Sequence, residues 1–284
     1  MEIESLRTCS VWTPKADESK PRWKRRFLME ETQNLSAVKN NLSGYYLAQH
    51  RAKLFKDGIE SNSAPFLPTD GKLNPVFIYN ANTGMALEAK TMVPAVLLKA
   101  KNGYESNTVG SYYAANSAQT SIKKGEQGVG SMFKGKDGEF HSANLYFPEQ
   151  MEQPERLQEF AGKNLKWEQR LKGQEFTITS PDVTEYLGAY VAACKSGASV
   201  SVSPEVAEQF KVNMTAVVNN ELAKSAEKNP AIKKLGEVLE AVDEKSNKII
   251  WNRQKELGIA QKQEKPQEQK PQQHKREKSQ SMSR

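Results

Sequence analysis

The chain is poor in the residues that build metal and redox centres. Its 284 residues include two cysteines, Cys9 and Cys194, far apart and in no Cys-x-x-Cys spacing, which argues against a disulfide scaffold and fits a reducing compartment. The three histidines, His50, His141 and His274, are isolated from one another, so HExxH, HxH and Cys/His zinc patterns are missing. GxSxG, GxxxxGK[ST] and GxGxxG are missing too, and with them the sequence basis for a nucleophile-elbow hydrolase, a P-loop ATPase or a dinucleotide enzyme. Carboxylates such as Glu126, Glu139 and Glu149 are scattered, without the pairing that acid–base catalysis needs. The expectation is a non-enzymatic protein with no cofactor and no metal.

Long apolar runs are also lacking. The richest stretch, Val93 to Leu98, is the size of a core patch and contains Pro94, well short of the roughly 18 to 20 residues of a membrane helix. Glu2 and Glu4 stand where a secretion signal would be positive. A cytoplasmic protein without membrane contact is expected.

What is abundant is positive charge at the two ends. Lys and Arg outnumber Asp and Glu by 7 to 5 over residues 1 to 30 and by 9 to 4 over residues 252 to 284, while the 25 of each sign between them cancel. The net charge of +7 therefore says little about the central region and much about its flanks. Residues 252 to 284, rich in Lys, Gln and Pro and nearly free of apolar residues after Ile259, cannot bury enough surface to offset their ordering entropy, so a disordered basic tail is expected. It reads as a solubilising tail or as a basic arm with weak, salt-sensitive affinity for nucleic acid. Near the N-terminus, Lys20-Pro21-Arg22-Trp23-Lys24-Arg25-Arg26-Phe27 sets five basic residues around two aromatics. Arg22, Lys24, Arg25 and Arg26 can hold phosphates while Trp23 stacks on a base; the alternative is a solvated loop whose aromatics dock on the domain.

Between the flanks the pattern divides at about residue 150. Leu35, Val38, Leu42, Tyr45, Tyr46 and Leu54 recur at helical intervals, predicting an amphipathic helix over 34 to 55 that ends near Asp57-Gly58. His50 on it reads as a surface or packing residue. The prolines and glycine of residues 63 to 75 make a loop, Val76 to Tyr79 a strand, and Asn80 to Gly84 a turn. Met85 to Lys101 is helical in composition with an interruption expected at Pro94, and a short helix is expected over Ser111 to Gln119. Residues 122 to 147 alternate apolar runs with glycine turns, which predicts a small antiparallel β unit. Beyond Pro148 the chain turns helical. Ser180-Pro181-Asp182 reads as a capping serine with proline at the first helical position, Ser203-Pro204-Glu205 repeats the signal, and Asn229-Pro230 opens a third segment. Their apolar stripes serve as core or as a partner surface. The expected organisation is thus an α+β chain: a basic and aromatic segment (1–33), an α+β domain with a small antiparallel β unit (34–150), a helical module (151–251) and the tail (252–284).

Three short motifs follow one another at a characteristic spacing: Asn82-Thr83-Gly84, then Lys123-Lys124-Gly125-Glu126-Gln127-Gly128, then Tyr146-Phe147-Pro148-Glu149-Gln150. In this order the stretch from residue 74 to 150, a little over a quarter of the chain, resembles the N-terminal domain of ArdC-type antirestriction proteins, found also in conjugative primases of the TraC type. Two elements depart from the pattern: Val93-Pro94-Ala95 stands where the family has Gly-x-Asn, and Tyr112 to Ala118 where it has Trp-x-Thr-x-x-Gln-Ala. The HExxH metallopeptidase domain of ArdC proteins has no counterpart here. The resemblance implies a single-stranded DNA-binding module, and hence an accessory protein of a plasmid, phage or integrative element.

In the residues themselves, Gly125 and Gly128 would let backbone amides approach a phosphate, Lys123, Lys124 and Lys134 would supply charge, and Tyr112, Tyr113 or Tyr104 would stack on bases. Glu126 is assigned a structural role, accepting turn amides or pairing with a lysine. The same turn is also explained by the φ > 0 that glycine permits. The competing function is a protein–protein interaction or oligomerisation protein, its degenerate domain no longer binding nucleic acid and the helices of 180 to 251 meeting a partner.

Overall fold

In the computed structural model the described residues are 47–69, 72–134, 140–226 and 234–259. The basic segment with Arg22, Trp23, Lys24, Arg25 and Arg26, the helical spacing of residues 34–46, the Asn229-Pro230 start and most of the expected tail lie outside them. Helix α1 covers residues 47–60 and buries Ala52, Leu54, Phe55 and Ile59. It does not stop at Asp57-Gly58. A Cβ on Gly58 would lie 2.7 Å from Leu97 Cδ2, so the glycine permits close helix packing rather than termination. The chain turns at Asn62, where φ is 53°.

The loop that follows is fixed by two tyrosines of a later helix. Tyr186 donates its hydroxyl proton to the carbonyl of Phe66 (3.0 Å) and Tyr190 to that of Asn74 (3.2 Å). Only Tyr79–Asn80, β1, pairs as a strand; Val76 to Ile78 are unpaired. Helix α2, Ala89–Asn102, starts later than composition predicts because Ala86 bridges Tyr79 and the Leu87 amide bonds to Ile78. Its first turn is capped from a distance: Asp243 Oδ1 accepts the amide of Ala89 at 2.7 Å and the Lys195 ammonium at 2.8 Å. Pro94 does not interrupt α2. It is fully buried inside the helix, which runs on to a left-handed Gly103. Burial of both turns around the proline offsets the one lost hydrogen bond.

β2 (Thr108–Ser111), α3 (Tyr112–Ser117), β3 (Val129–Lys134) and β4 (Phe140–Tyr146) complete a four-stranded sheet in the order β1-β2-β4-β3. The expected antiparallel hairpin is present, with Val129 opposite Leu145. The sheet as a whole is mixed, because β1 runs parallel to β2. Alternation along the strands loads both faces. Ile78, Val109, Val129 and Leu145 join the main core with α2, while Tyr79 and Tyr146 pack with Ala114, Leu157 and Ala161 of α3 and α4 (Pro154–Asn164).

The remainder holds more than helices. β5 (Glu175–Ile178), α5 (Val183–Ser196) and β6 (Ser199–Val202) form a parallel βαβ unit, where a purely helical module is expected from the sequence. The α5 cap is Asp182, whose carboxylate accepts the amides of Thr184 and Glu185; Pro181 lies before the cap, not inside the helix. α6, Pro204–Ala226, does begin at its Ser-Pro signal, and α7 spans Lys234–Glu256. Leu187, Phe210, Met214, Leu239 and Val242 lie in the same core cluster as Phe55 and Val96. The apolar stripes of α5 to α7 are thus largely internal. None of the described helices is long and apolar enough to cross a membrane.

One buried charge tests this packing. Glu221 of α6 is 1% exposed, its Oε1 has no hydrogen-bond partner among the described residues, and its Oε2 accepts the Leu235 amide at 3.4 Å. Desolvation raises its pKa above its ordinary value, overcoming the opposing effects of that amide, Arg51 and Lys224; Glu237 reinforces the rise. The folded chain holds this proton more tightly than the unfolded chain, so its contribution to stability is full in acid and is lost as pH rises through the elevated pKa. Urea unfolding across a pH series, compared between the natural chain and Glu221→Gln, is expected to show that loss only in the natural chain.

Candidate nucleic-acid interface

The three motifs fold into two clusters. In the first, the Asn80 to Gly84 turn meets the start of α3. Asn80 Oδ1 accepts the amide of Asn82 (2.9 Å), and Asn82 Nδ2 reaches Ser111 Oγ (3.4 Å). Gly84 has φ of 67° and sits so close to the Asn164 carbonyl that no side chain fits. Asn164 in turn donates to the Ala81 carbonyl (3.0 Å), locking the turn to the end of α4. Ser111 caps α3 by accepting the Ala114 amide. Tyr112 and Tyr113 follow that cap and are 66% and 72% exposed, while Ala114 and Ala115 behind them are buried. Both rings are more exposed than Trp251, which is 42% exposed, and aromatic side chains so open to water are uncommon.

The second cluster is built around Glu149 and Gln150, in a 3-10 turn at Pro148–Gln150. Gln150 is 1% exposed. Its Oε1 accepts the Phe147 amide (2.9 Å), and its Nε2 donates to Glu126 Oε2 (2.9 Å) and to the Gln127 carbonyl (3.0 Å). Glu149 Oε1 accepts the amides of Glu105 (2.8 Å) and Ser106 (2.7 Å), and Lys99 holds the carbonyls of the same two residues. Burial raises the Glu149 pKa, but hydrogen bonds from Ser106 and Glu105 outweigh it and hold the carboxyl below its ordinary value.

Seen from the turn, the roles of the expected residues separate. Lys123 donates its amide to the Gln150 carbonyl (2.9 Å) and its ammonium to the Glu149 carbonyl (2.9 Å), so it braces the turn. Lys124 and Gly125 are exposed at the tip, with Gly125 at φ of 88° and the Glu126 amide closing on the Lys123 carbonyl. That is the geometry of a β-turn requiring glycine at its third position. Gly128 is not available to a phosphate. It is buried, and a Cβ there would lie 2.6 Å from the Leu145 carbonyl and 3.0 Å from the Tyr146 ring. Glu126 is structural, as expected, but its partner is a side-chain amide rather than turn amides or a lysine. Tyr104 packs its ring 5.2 Å from that of Phe147, half-buried. Lys134 lies at the far end of β3, opposite Phe140, five residues along the strand from Val129.

Ser111 pairs with Leu145, five residues before Gln150, so at most about 18 Å of chain runs from that strand pair to the second cluster. A cleft of about 1030 Å³ lies beside the second one, between α1 and the hairpin, lined by His50, Lys53, Asp57, Gln127, Gly130 and Asn144 among others. Burial lowers the pKa of His50, and Lys101 and Lys53 add to the effect, so the imidazole stays neutral at physiological pH. Sequence reasoning missed the aromatic ladder at the rim of the first cluster. Phe77 stacks between Trp167 (3.6 Å) and Tyr79 (5.7 Å), a contact between segments ninety residues apart that no local pattern signals. Among the described residues no group of three His, Cys, Asp or Glu side chains is placed to hold a metal, and Cys194 is buried, its pKa pushed up to about 12 by desolvation. Compared with known protein families, with curated proteins and with solved structures, the chain matches none.

Gln150 has the most to lose from truncation. Gln150→Leu leaves the buried Phe147 amide and the partly buried Gln127 carbonyl and Glu126 carboxylate without their partner, and is expected to cost about 2 to 4 kcal/mol in chemical denaturation. A loss under about 0.5 kcal/mol would show that the turn does not depend on this carboxamide.

Proposed function

We propose that the protein binds single-stranded DNA through its four-stranded sheet domain, as an accessory factor of a mobile genetic element related in role to ArdC-type antirestriction proteins. The observation that carries this reading is the exposed pair Tyr112 and Tyr113, held on a capped helix start, together with the exposed Lys124-Gly125 tip eleven residues further along the chain. Aromatic faces take bases of any sequence, and a lysine at a glycine turn takes a phosphate. The resemblance of residues 74 to 150 supplies the class of ligand. It also explains why Glu149 and Gln150 accompany the lysine turn: they build it, and the ligand sees only its tip.

The division of labour differs between the two lysines. Lys124 serves as a contact, whereas Lys123 acts through the turn it braces. Each base stacked on an aromatic ring contributes typically about 1 to 3 kcal/mol, so Tyr112→Ala with Tyr113→Ala is expected to weaken binding of a labelled single-stranded oligonucleotide tenfold or more in fluorescence anisotropy. Lys124→Ala is expected to weaken it less and to flatten its salt dependence. Binding unchanged by the tyrosine pair would remove the reading, and binding by neither form would favour an interaction protein.

A further inference from the structure

Among the described residues, the βαβ unit leaves one edge of its sheet open. β5 and β6 form a two-stranded parallel sheet, and such a pair is too small to be stable alone. The outer side of β6 is covered, since Lys72 bridges Ser201 and the Leu73 amide reaches the Val200 carbonyl. On the outer side of β5, no strand pairs among the described residues. The amide of Ser199 donates to the Gln174 carbonyl (2.9 Å), which sets the phase of the ladder. Gln174, Phe176 and Ile178 direct their backbone groups at β6, and Glu175 and Thr177 direct theirs outward.

Beside that open edge lies a cleft of about 400 Å³, floored by Phe176, Ala189 and Ile249 and walled by Arg253. The Arg253 Nε is buried and has no hydrogen-bond partner among the described residues. Exposed edges of this kind are protected in native proteins or used for pairing.

We propose that a second copy of this chain occupies the edge, its β5 running antiparallel to the first about a two-fold axis at Phe176. The edge is self-complementary in that register. Glu175 of each copy faces Thr177 of the other, and these are the two residues with outward backbone groups, so four hydrogen bonds close across the seam. The two Phe176 side chains meet at the axis, no like charges oppose, and two marginal sheets become one of four strands. An unrelated extended peptide would use the same edge without the two-fold constraint. This inference does not rest on the DNA-binding reading.

The register makes the test specific. Sedimentation velocity of the full chain without DNA, over a wide concentration range, is expected to show reversible dimerisation. Thr177→Glu sets carboxylates opposite Glu175 at two symmetric places and weakens the dimer roughly three- to tenfold; Thr177→Lys strengthens it by a similar factor; and Glu175→Lys combined with Thr177→Glu restores it. Residue 175 is exposed and 177 also points its side chain to water, so these changes leave the fold intact, which circular dichroism checks. A chain that stays monomeric throughout overturns the proposal. So does a dimer that responds equally to Thr177→Glu and Thr177→Lys.

Discussion

One buried carboxamide ties the sheet domain together. Gln150 accepts an amide proton from its own turn and donates to a side chain 24 residues earlier and a carbonyl 23 residues earlier. Around it, Glu149 takes the amides of the loop before β2, Ile122 bridges Met151, and the Glu152 amide bonds to Ser121. Four stretches of chain that share no regular ladder thereby acquire fixed positions. A buried polar group that is fully paired specifies one arrangement, because every alternative leaves a donor or acceptor without a partner. Gly128 completes the constraint from the other side: it lies against the Leu145 carbonyl where any side chain would separate the strands.

This bracing decides what is left for a ligand. With Lys123, Glu126, Gly128, Glu149 and Gln150 engaged in holding the turn, the outward groups are Lys124, the Gly125 backbone and the Gln127 side chain. At the other cluster, Asn82 and Ser111 hold the helix start and leave Tyr112 and Tyr113 in water. The motifs that follow one another along the chain thus have a double character. Most of their residues are structural, and each cluster presents one or two side chains. Regions that must receive a partner but not reorganise are built in this way, with the contact residues held by a rigid layer beneath.

Much of the fold was legible in the sequence because its signals are local. The Ser203-Pro204 start, the glycine-bounded hairpin and the helix after Ser111 each follow from capping or turn chemistry. What escaped is set by distant partners. Pro94 continues its helix because the core closes around it, α2 begins late because Ala86 bridges Tyr79, and the strands Glu175–Ile178 and Ser199–Val202 are too short for period-two alternation to stand out from helix. The site was legible by motif more than by role. Lysine and glycine types marked the candidate turn, yet only the folded structure separates the bracing Lys123 and buried Gly128 from the exposed Lys124, and nothing near Phe77 announces Trp167.

On the proposed reading, a braced scaffold presents the Tyr112–Tyr113 start of α3 and the Lys124–Gly125 tip to single-stranded DNA. Amide hydrogen exchange of the full chain, with and without a thymine oligonucleotide, tests it most directly. Glu105, Ser106 and Phe147 are expected to be protected in the free protein, and the oligonucleotide is expected to add protection at residues 111–114 and 123–126. Added protection confined to the basic segment of residues 20–27 or to residues 260–284, with none at either cluster, would contradict it.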